Sequence, residues 1–180
     1  MQAAIDACLP GVEIALVVST SAKAYALTRA ANHNIDSLVL AKKDFADGAA
    51  REAALLAALR ESNIDLVVFA GCMMVLSAGF IDAWDKPIIN IHPSLLPKYG
   101  GHGFYGLVPH EAVIAAGERV TGATVHYIDG GIDTGDIILQ KEVAVQDGDT
   151  PELLQRRVME EAEWVILPQA ILMLAQNNTG

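Results

Sequence analysis

Three predominantly apolar runs, residues 12–18, 64–70 and 87–92, alternate with Ala- and Leu-rich segments, and this order leaves few folds open. Strands buried on both faces read as continuous hydrophobic stretches, and helices between them carry the chain back across a parallel sheet. Residues 36–40, 121–128 and 137–145 add further strands, while 22–32, 44–61 and 106–117 read as helices. A long C-terminal helix is expected over 150–176, capped by Thr150, with Pro151 in its first turn and a bend near Pro168. The tail 177–180 should fray. The expected fold is therefore α/β: a three-layer, mostly parallel, Rossmann-like sheet with helices on both faces, in a single domain over 1–180.

Composition supports one substantial core. The chain has 180 residues and 52% hydrophobic content, with a mean hydropathy of +0.33. Its net charge of −10, from 12 basic and 22 acidic residues, opposes binding to nucleic acid or to an anionic membrane. The uncharged run 66–81 falls short of the roughly 18–20 residues that span a bilayer. Cys8 and Cys72 show no disulfide or metal spacing, and residues 1–17 lack a basic signal-peptide start, so a cytoplasmic protein is expected.

Ligands in open α/β sheets bind beyond the carboxyl ends of the strands, which directs attention to residues 71–74 and 90–92. Asn90 and His92 flank Ile91, so in extended backbone their side chains share a face. Pro93 and Pro97 then impose an extended, stiff exit. An amide donor and an imidazole suit a tetrahedral carbonyl intermediate. Asp133, in the glycine-rich stretch 130–135, supplies a carboxylate that can orient His92 and favour its imidazolium. Taken singly, each of these residues is more often a loop polar group bonded to backbone. Their combination points to acyl transfer.

Asn90-Ile91-His92-Pro93-Ser94-Leu95-Leu96-Pro97-Lys98-Tyr99, followed by Thr121-Gly122-Ala123-Thr124-Val125-His126 and Gly131-Ile132-Asp133-Thr134-Gly135, resembles the phosphoribosylglycinamide formyltransferase family along essentially the whole chain. The resemblance implies transfer of a formyl group from 10-formyltetrahydrofolate, as co-substrate, to the amine of glycinamide ribonucleotide in purine synthesis, with no metal. It implies that Asn90, His92 and Asp133 are catalytic. It also implies a folate pocket made by Met74, Val75, Leu76, Ile81, Ile88, Ile128 and Asp129, and contacts to the ribonucleotide from Met73, Ile91 and Glu163. Met74 stands where the family often has a basic residue. Met73 and Ile91 read equally well as core residues, and Glu163 as part of a solvated acidic run. His102 and His110 flank a segment that shapes the substrate side, and His126 reads as a pocket-wall histidine; none of the three is expected to be catalytic.

Family members usually open with a strand and a glycine-rich phosphate loop. Residues 1–7 resemble only the tail of that motif, so the domain is expected to be N-terminally truncated relative to the family, with unpaired backbone beside the missing strand. Two alternatives accompany this reading: a methionyl-tRNA formyltransferase-like enzyme, which the acidic charge disfavours, and a non-catalytic folate-binding fragment. The partners expected are small molecules, with the chain a monomer or homodimer.

Overall fold

The computed structural model describes residues 1–177; of the tail expected to fray, Asn177 is the last residue of a helix and 178–180 lie outside the described residues. The elements are α1 (Gln2–Asp6), β1 (Leu16–Ser19), α2 (Tyr25–Asn32), β2 (Asp36–Val39), α3 (Gly48–Glu61), β3 (Val67–Phe69) and α4 (Ala78–Ala83). They continue with β4 (Ile88–His92), α5 (Val108–Ala115), β5 (Val120–Tyr127), β6 (Ile137–Ala144), α6 (Pro151–Val158) and α7 (Trp164–Asn177).

The expected α/β architecture is present, with parallel pairing in β1–β2 and β3–β4. β5 and β6 join antiparallel to complete the order β3-β4-β5-β6. The connection between them is shorter than the dozen or so residues that a parallel crossover needs. β1 and β2 form a separate two-stranded sheet, so β1 and β3 each have a ladder partner on one side only among the described residues.

β4 separates two cores. Ile89 and Ile91 belong to a cluster with Val113 of α5, Ala123 and Val125 of β5, and buried residues of α6 and α7. Ile88, one step out of phase, joins Leu55 and Leu59 of α3, Phe69 of β3, and Phe80 and Trp84. Period-two alternation thus sends successive residues into opposite layers, and Asn90 and His92 lie on the Ile88 side.

Several boundaries differ from the sequence reading. The strands expected over 12–18 and 64–70 shrink to four and three residues, because ladder length is set by the partner strand and not by apolar content. α3 is capped by Asp47, whose side chain accepts from the Ala50 N–H, and Lys42–Asp44 forms a separate 3-10 turn. α1 and α4 had no counterpart in the reading; α4 is short and contains Gly79, and its signal is the Ser77 cap, which accepts from the Phe80 N–H. The irregularity in the C-terminal helix is a π turn, Met159–Glu163, with Pro168 inside α7. The proline ring leaves no room for the carbonyl four residues back, and the widened turn lies immediately N-terminal to that residue, Trp164.

A Cβ added at Gly122 would lie 2.0 Å from the Lys141 carbonyl oxygen, whereas one at Gly130 meets nothing within 4 Å. Gly122→Ala should therefore destabilise the fold by about 1–3 kcal/mol, with Gly130→Ala close to neutral. Urea denaturation checks this, and equal midpoints for the two variants would contradict it.

Candidate active site

At the carboxyl end of β4, Asn90 and His92 lie beside β5 in a register that pairs Asn90 with His126 and His92 with Thr124. His92 is 4% exposed. Its Nε2 lies 2.9 Å from the Tyr99 carbonyl oxygen, and because a carbonyl only accepts, Nε2 carries a proton. Nδ1 lies 3.5 Å from Asp133 Oδ2, so a second proton there would close an ion pair. Donation from Nε2 to a substrate oxygen requires the Tyr99 carbonyl to give way.

The chain leaving β4 is held from behind. The Ser94 hydroxyl, fully buried, donates to the Lys98 carbonyl oxygen at 2.7 Å. Thr124 Oγ1 donates to the Ser94 carbonyl oxygen and accepts from the Leu96 N–H. Gln140 Nε2 donates to the Leu96 carbonyl oxygen and to Thr124 Oγ1. These bonds place the Tyr99 carbonyl against His92.

Asp133 enters from the loop between β5 and β6 in a left-handed conformation, φ 56°, which aspartate tolerates better than most residues. Glycine's role in this loop differs from the expectation. No glycine from 130 to 135 has positive φ; instead, a Cβ at Gly135 would lie 2.0 Å from the Tyr127 carbonyl oxygen, and one at Gly131 would meet the Thr134 side chain. Asp129 closes the loop by accepting from the Gly131 N–H and the Thr134 hydroxyl, bonds that hold its carboxyl below the ordinary value, the hydroxyl contributing most. Burial pushes the Asp133 carboxyl up, but the adjoining His126 ring, the Gly101 N–H at 2.9 Å and the charges of His92 and His126 pull it down by more. Its Oδ1 also lies 3.5 Å from His126 Nε2.

Asn90, His92 and Asp133 therefore share one site, and His126, expected only as a pocket wall, joins them: its Nε2 is 3.1 Å from Asn90 Nδ2. The signal for His126 and Thr124 was their own alternation, which on a neighbouring strand presents both to the Asn90–His92 face. Gln140 carried no such signal.

The residues expected around folate divide by exposure. Leu76 and Ile88 are buried, and Met74, Ile81 and Ile128 pack against the same cluster. Together they form an apolar wall of the kind that suits a flat heterocycle. Val75 and Met73 are 67% and 61% exposed, on the loop between β3 and α4, and Asp129 is exposed at the facing loop. The Glu52 carboxylate ties the end of the first loop by accepting from the Ser77 N–H and hydroxyl. Ile91 is a core residue through its side chain, leaving only its backbone for a ligand; Met73 is not core. Glu163, at the end of the π turn, is not the solvated residue that an acidic run suggests: burial lifts its carboxyl to about 7, against the Met1 ammonium, which lowers it. His110 lies on α5, outside the segment that it flanks. It is fully buried, with neither ring nitrogen hydrogen-bonded, and burial followed by the charge of His92 pushes it down to about 4.

The model of the formyl transferase family matches residues 1–171. The chain is 38% identical over 179 residues to the trifunctional purine biosynthetic protein adenosine-3 of Drosophila melanogaster, covering 97% of this chain and 13% of that protein. It thus spans about an eighth of the length of the first curated relatives it matches. Among solved structures, glycinamide ribonucleotide transformylase 1 of Symbiobacterium toebii superposes with a TM-score of 0.89 at 38% identity, covering 98% of this chain and 82% of that one. Phosphoribosylglycinamide formyltransferase of Brucella melitensis gives 0.85 at 40% identity, covering 97% and 86%.

The two displaced ionisations act in opposite directions on stability. His110 has a folded pKa below its ordinary 6.5, so the unfolded chain binds more protons between the two values, and stability is lost as pH falls from 6.5 towards 4. Glu163 has a folded pKa above its ordinary 4.5, so the folded chain binds more protons, and stability is lost as pH rises from 4.5 to about 7. Relative to wild type, His110→Leu should flatten the acid-side loss and Glu163→Gln should gain stability towards pH 7. Urea midpoints at pH 5 and 7.5 test both, and pH profiles parallel to wild type would contradict them.

Proposed function

Because the chain belongs to the formyl transferase family, we propose that it transfers the formyl group of 10-formyltetrahydrofolate to the amine of glycinamide ribonucleotide in purine biosynthesis. The observation that carries this reading is the convergence of an amide donor, a histidine and a carboxylate on the end of one strand. That equipment suits carbonyl addition. The names of the relatives and the apolar wall beside the site support the choice of acceptor and formyl donor.

The substrate amine attacks the formyl carbon, and the carbonyl electrons move onto oxygen. Asn90 donates an N–H to that oxyanion. His92, positively charged when Nδ1 is protonated towards Asp133, adds electrostatic stabilisation; its Nε2–H reaches the oxyanion directly only if the Tyr99 carbonyl is displaced. The attacking nitrogen loses a proton towards Asp133, directly or through water, and the leaving nitrogen of the folate gains one as the carbon–nitrogen bond breaks. Met74, Leu76, Ile81, Ile88 and Ile128 shelter the heterocycle, and the backbone around Val75 and Asp129 offers polar contacts at its edge. Met73 and the Ile91 backbone lie towards the acceptor, with Glu163 as a carboxylate for its hydroxyls or amine. Cys8 and Cys72 are both free thiols, as suits a reducing compartment such as the cytoplasm.

Incubating the chain with both substrates should yield the N-formyl ribonucleotide. Asn90→Ala and His92→Ala should each lower kcat by about 10²–10³-fold. Undiminished turnover in His92→Ala would refute this mechanism, and binding of a folate analogue without any transfer would favour the non-catalytic alternative.

A further inference from the structure

The backbone of Tyr99-Gly100-Gly101 bonds to both His92 and Asp133. The Tyr99 carbonyl oxygen accepts from His92 Nε2 at 2.9 Å, and two residues on, the Gly101 N–H donates to Asp133 Oδ2, also at 2.9 Å. That oxygen is the one that lies 3.5 Å from His92 Nδ1. One short strap of backbone thus grips the imidazole at one end and the carboxylate at the other. It keeps Nδ1 turned towards Asp133 and sets the gap between the two groups.

The strap does not hold itself in this shape. Tyr99 has φ 55° and Gly101 φ 87°; glycine enters the left-handed region freely, but an aromatic residue rests there only where its surroundings compel it. Gly100 has no side chain to grip, and a Cβ there would collide with the Leu96 side chain and come within 3.5 Å of Asp133 Cβ. The hold therefore falls on Tyr99. Its carbonyl also accepts from the Ser94 hydroxyl at 3.2 Å, and its ring packs against the buried cluster of Ile91 and Val113 and lies 6.3 Å from the Phe104 ring. Its hydroxyl donates to Glu118 Oε1 at 3.0 Å, an oxygen that also takes the Lys98 ammonium at 2.8 Å. Lys98 first, and then Tyr99, hold the Glu118 carboxyl below its ordinary value, so the hydroxyl meets a charged acceptor, the stronger kind. Glu118 lies between α5 and β5, with its N–H bonded to the Val113 carbonyl oxygen. We infer that Glu118, outside the site, is a positioning residue: through the Tyr99 hydroxyl it fixes the strap that keeps His92 and Asp133 in apposition.

The effect on rate rests on the formyl-transfer reading, while the geometry does not, so each has its own readout. Burial raises the Asp133 carboxyl, and the His126 ring, the Gly101 N–H and the charges of His92 and His126 bring it down by more. In Glu118→Ala and in Tyr99→Phe a loosened strap should weaken the Gly101 bond. By ¹³C NMR the Asp133 carboxyl should then titrate at higher pH than in wild type, in an active or an inactive chain, and an unmoved titration would overturn the inference. In the active enzyme both variants should lower kcat by about 10-fold with both KM values nearly unchanged, and the acid limb of the kcat–pH profile should move upward with the carboxyl. The Tyr99→Phe/Glu118→Ala pair should be no slower than the slower single variant, because both remove the same contact. Glu118→Gln, which still accepts from the Tyr99 hydroxyl, should recover most of the rate. Losses that multiply, or a kcat that holds or rises while the carboxyl moves, would overturn the positioning role; a moved titration in a chain without transferase activity upholds the strap and discards the functional reading.

Discussion

The antiparallel register between β4 and β5 sets Asn90 opposite His126 and His92 opposite Thr124, and the chemistry of the site depends on it. Side chains alternate with period two, so a slip of one residue would place Val125 opposite Asn90 and turn the Thr124 and His126 side chains away from the site. The register is enforced from the other face, where Ile89 and Ile91 meet Ala123 and Val125 in one buried cluster. Hydrophobic burial on one side of two strands thereby fixes polar geometry on the other.

The same pairing secures the loop that follows β4. Thr124 lies opposite His92 and uses its hydroxyl both as donor and as acceptor on the backbone of Ser94 and Leu96. The Tyr99 carbonyl that faces His92 depends on that anchorage. Asp133 arrives independently, on a loop whose close turns are possible only because Gly131 and Gly135 carry no side chain. The site is therefore assembled from a rigid strand pair and one tightly folded loop, the arrangement by which a catalytic group is held within hydrogen-bonding reach of its partner.

Much of this was legible from residue order. Asn90, Ile91 and His92 announced their alternation, and the helical and strand segments around them announced an α/β fold. The elements misjudged were those whose limits depend on a partner: β1 and β3 end where their ladders end, and α4 is too short to leave a strong periodic trace. Glu163 looked like one of several solvated acidic residues, but at the end of the π turn it is half-buried. His110 flanks a segment read as shaping the substrate side, and it fills a fully buried position on α5.

By itself, the sequence determined the class of fold, the strand that bears the site and the three residue types suited to acyl transfer, because these follow from local periodicity and from the chemistry of the side chains, while the resemblance of its motifs to a family narrowed acyl to formyl transfer. Only the tertiary structure decided that His126 touches Asn90, that both nitrogens of His92 are already engaged, and that His110 is buried and Glu163 half-buried. Those facts depend on contacts between residues far apart in the chain, and no local pattern encodes the distance between two side chains brought together by the pairing of separate strands.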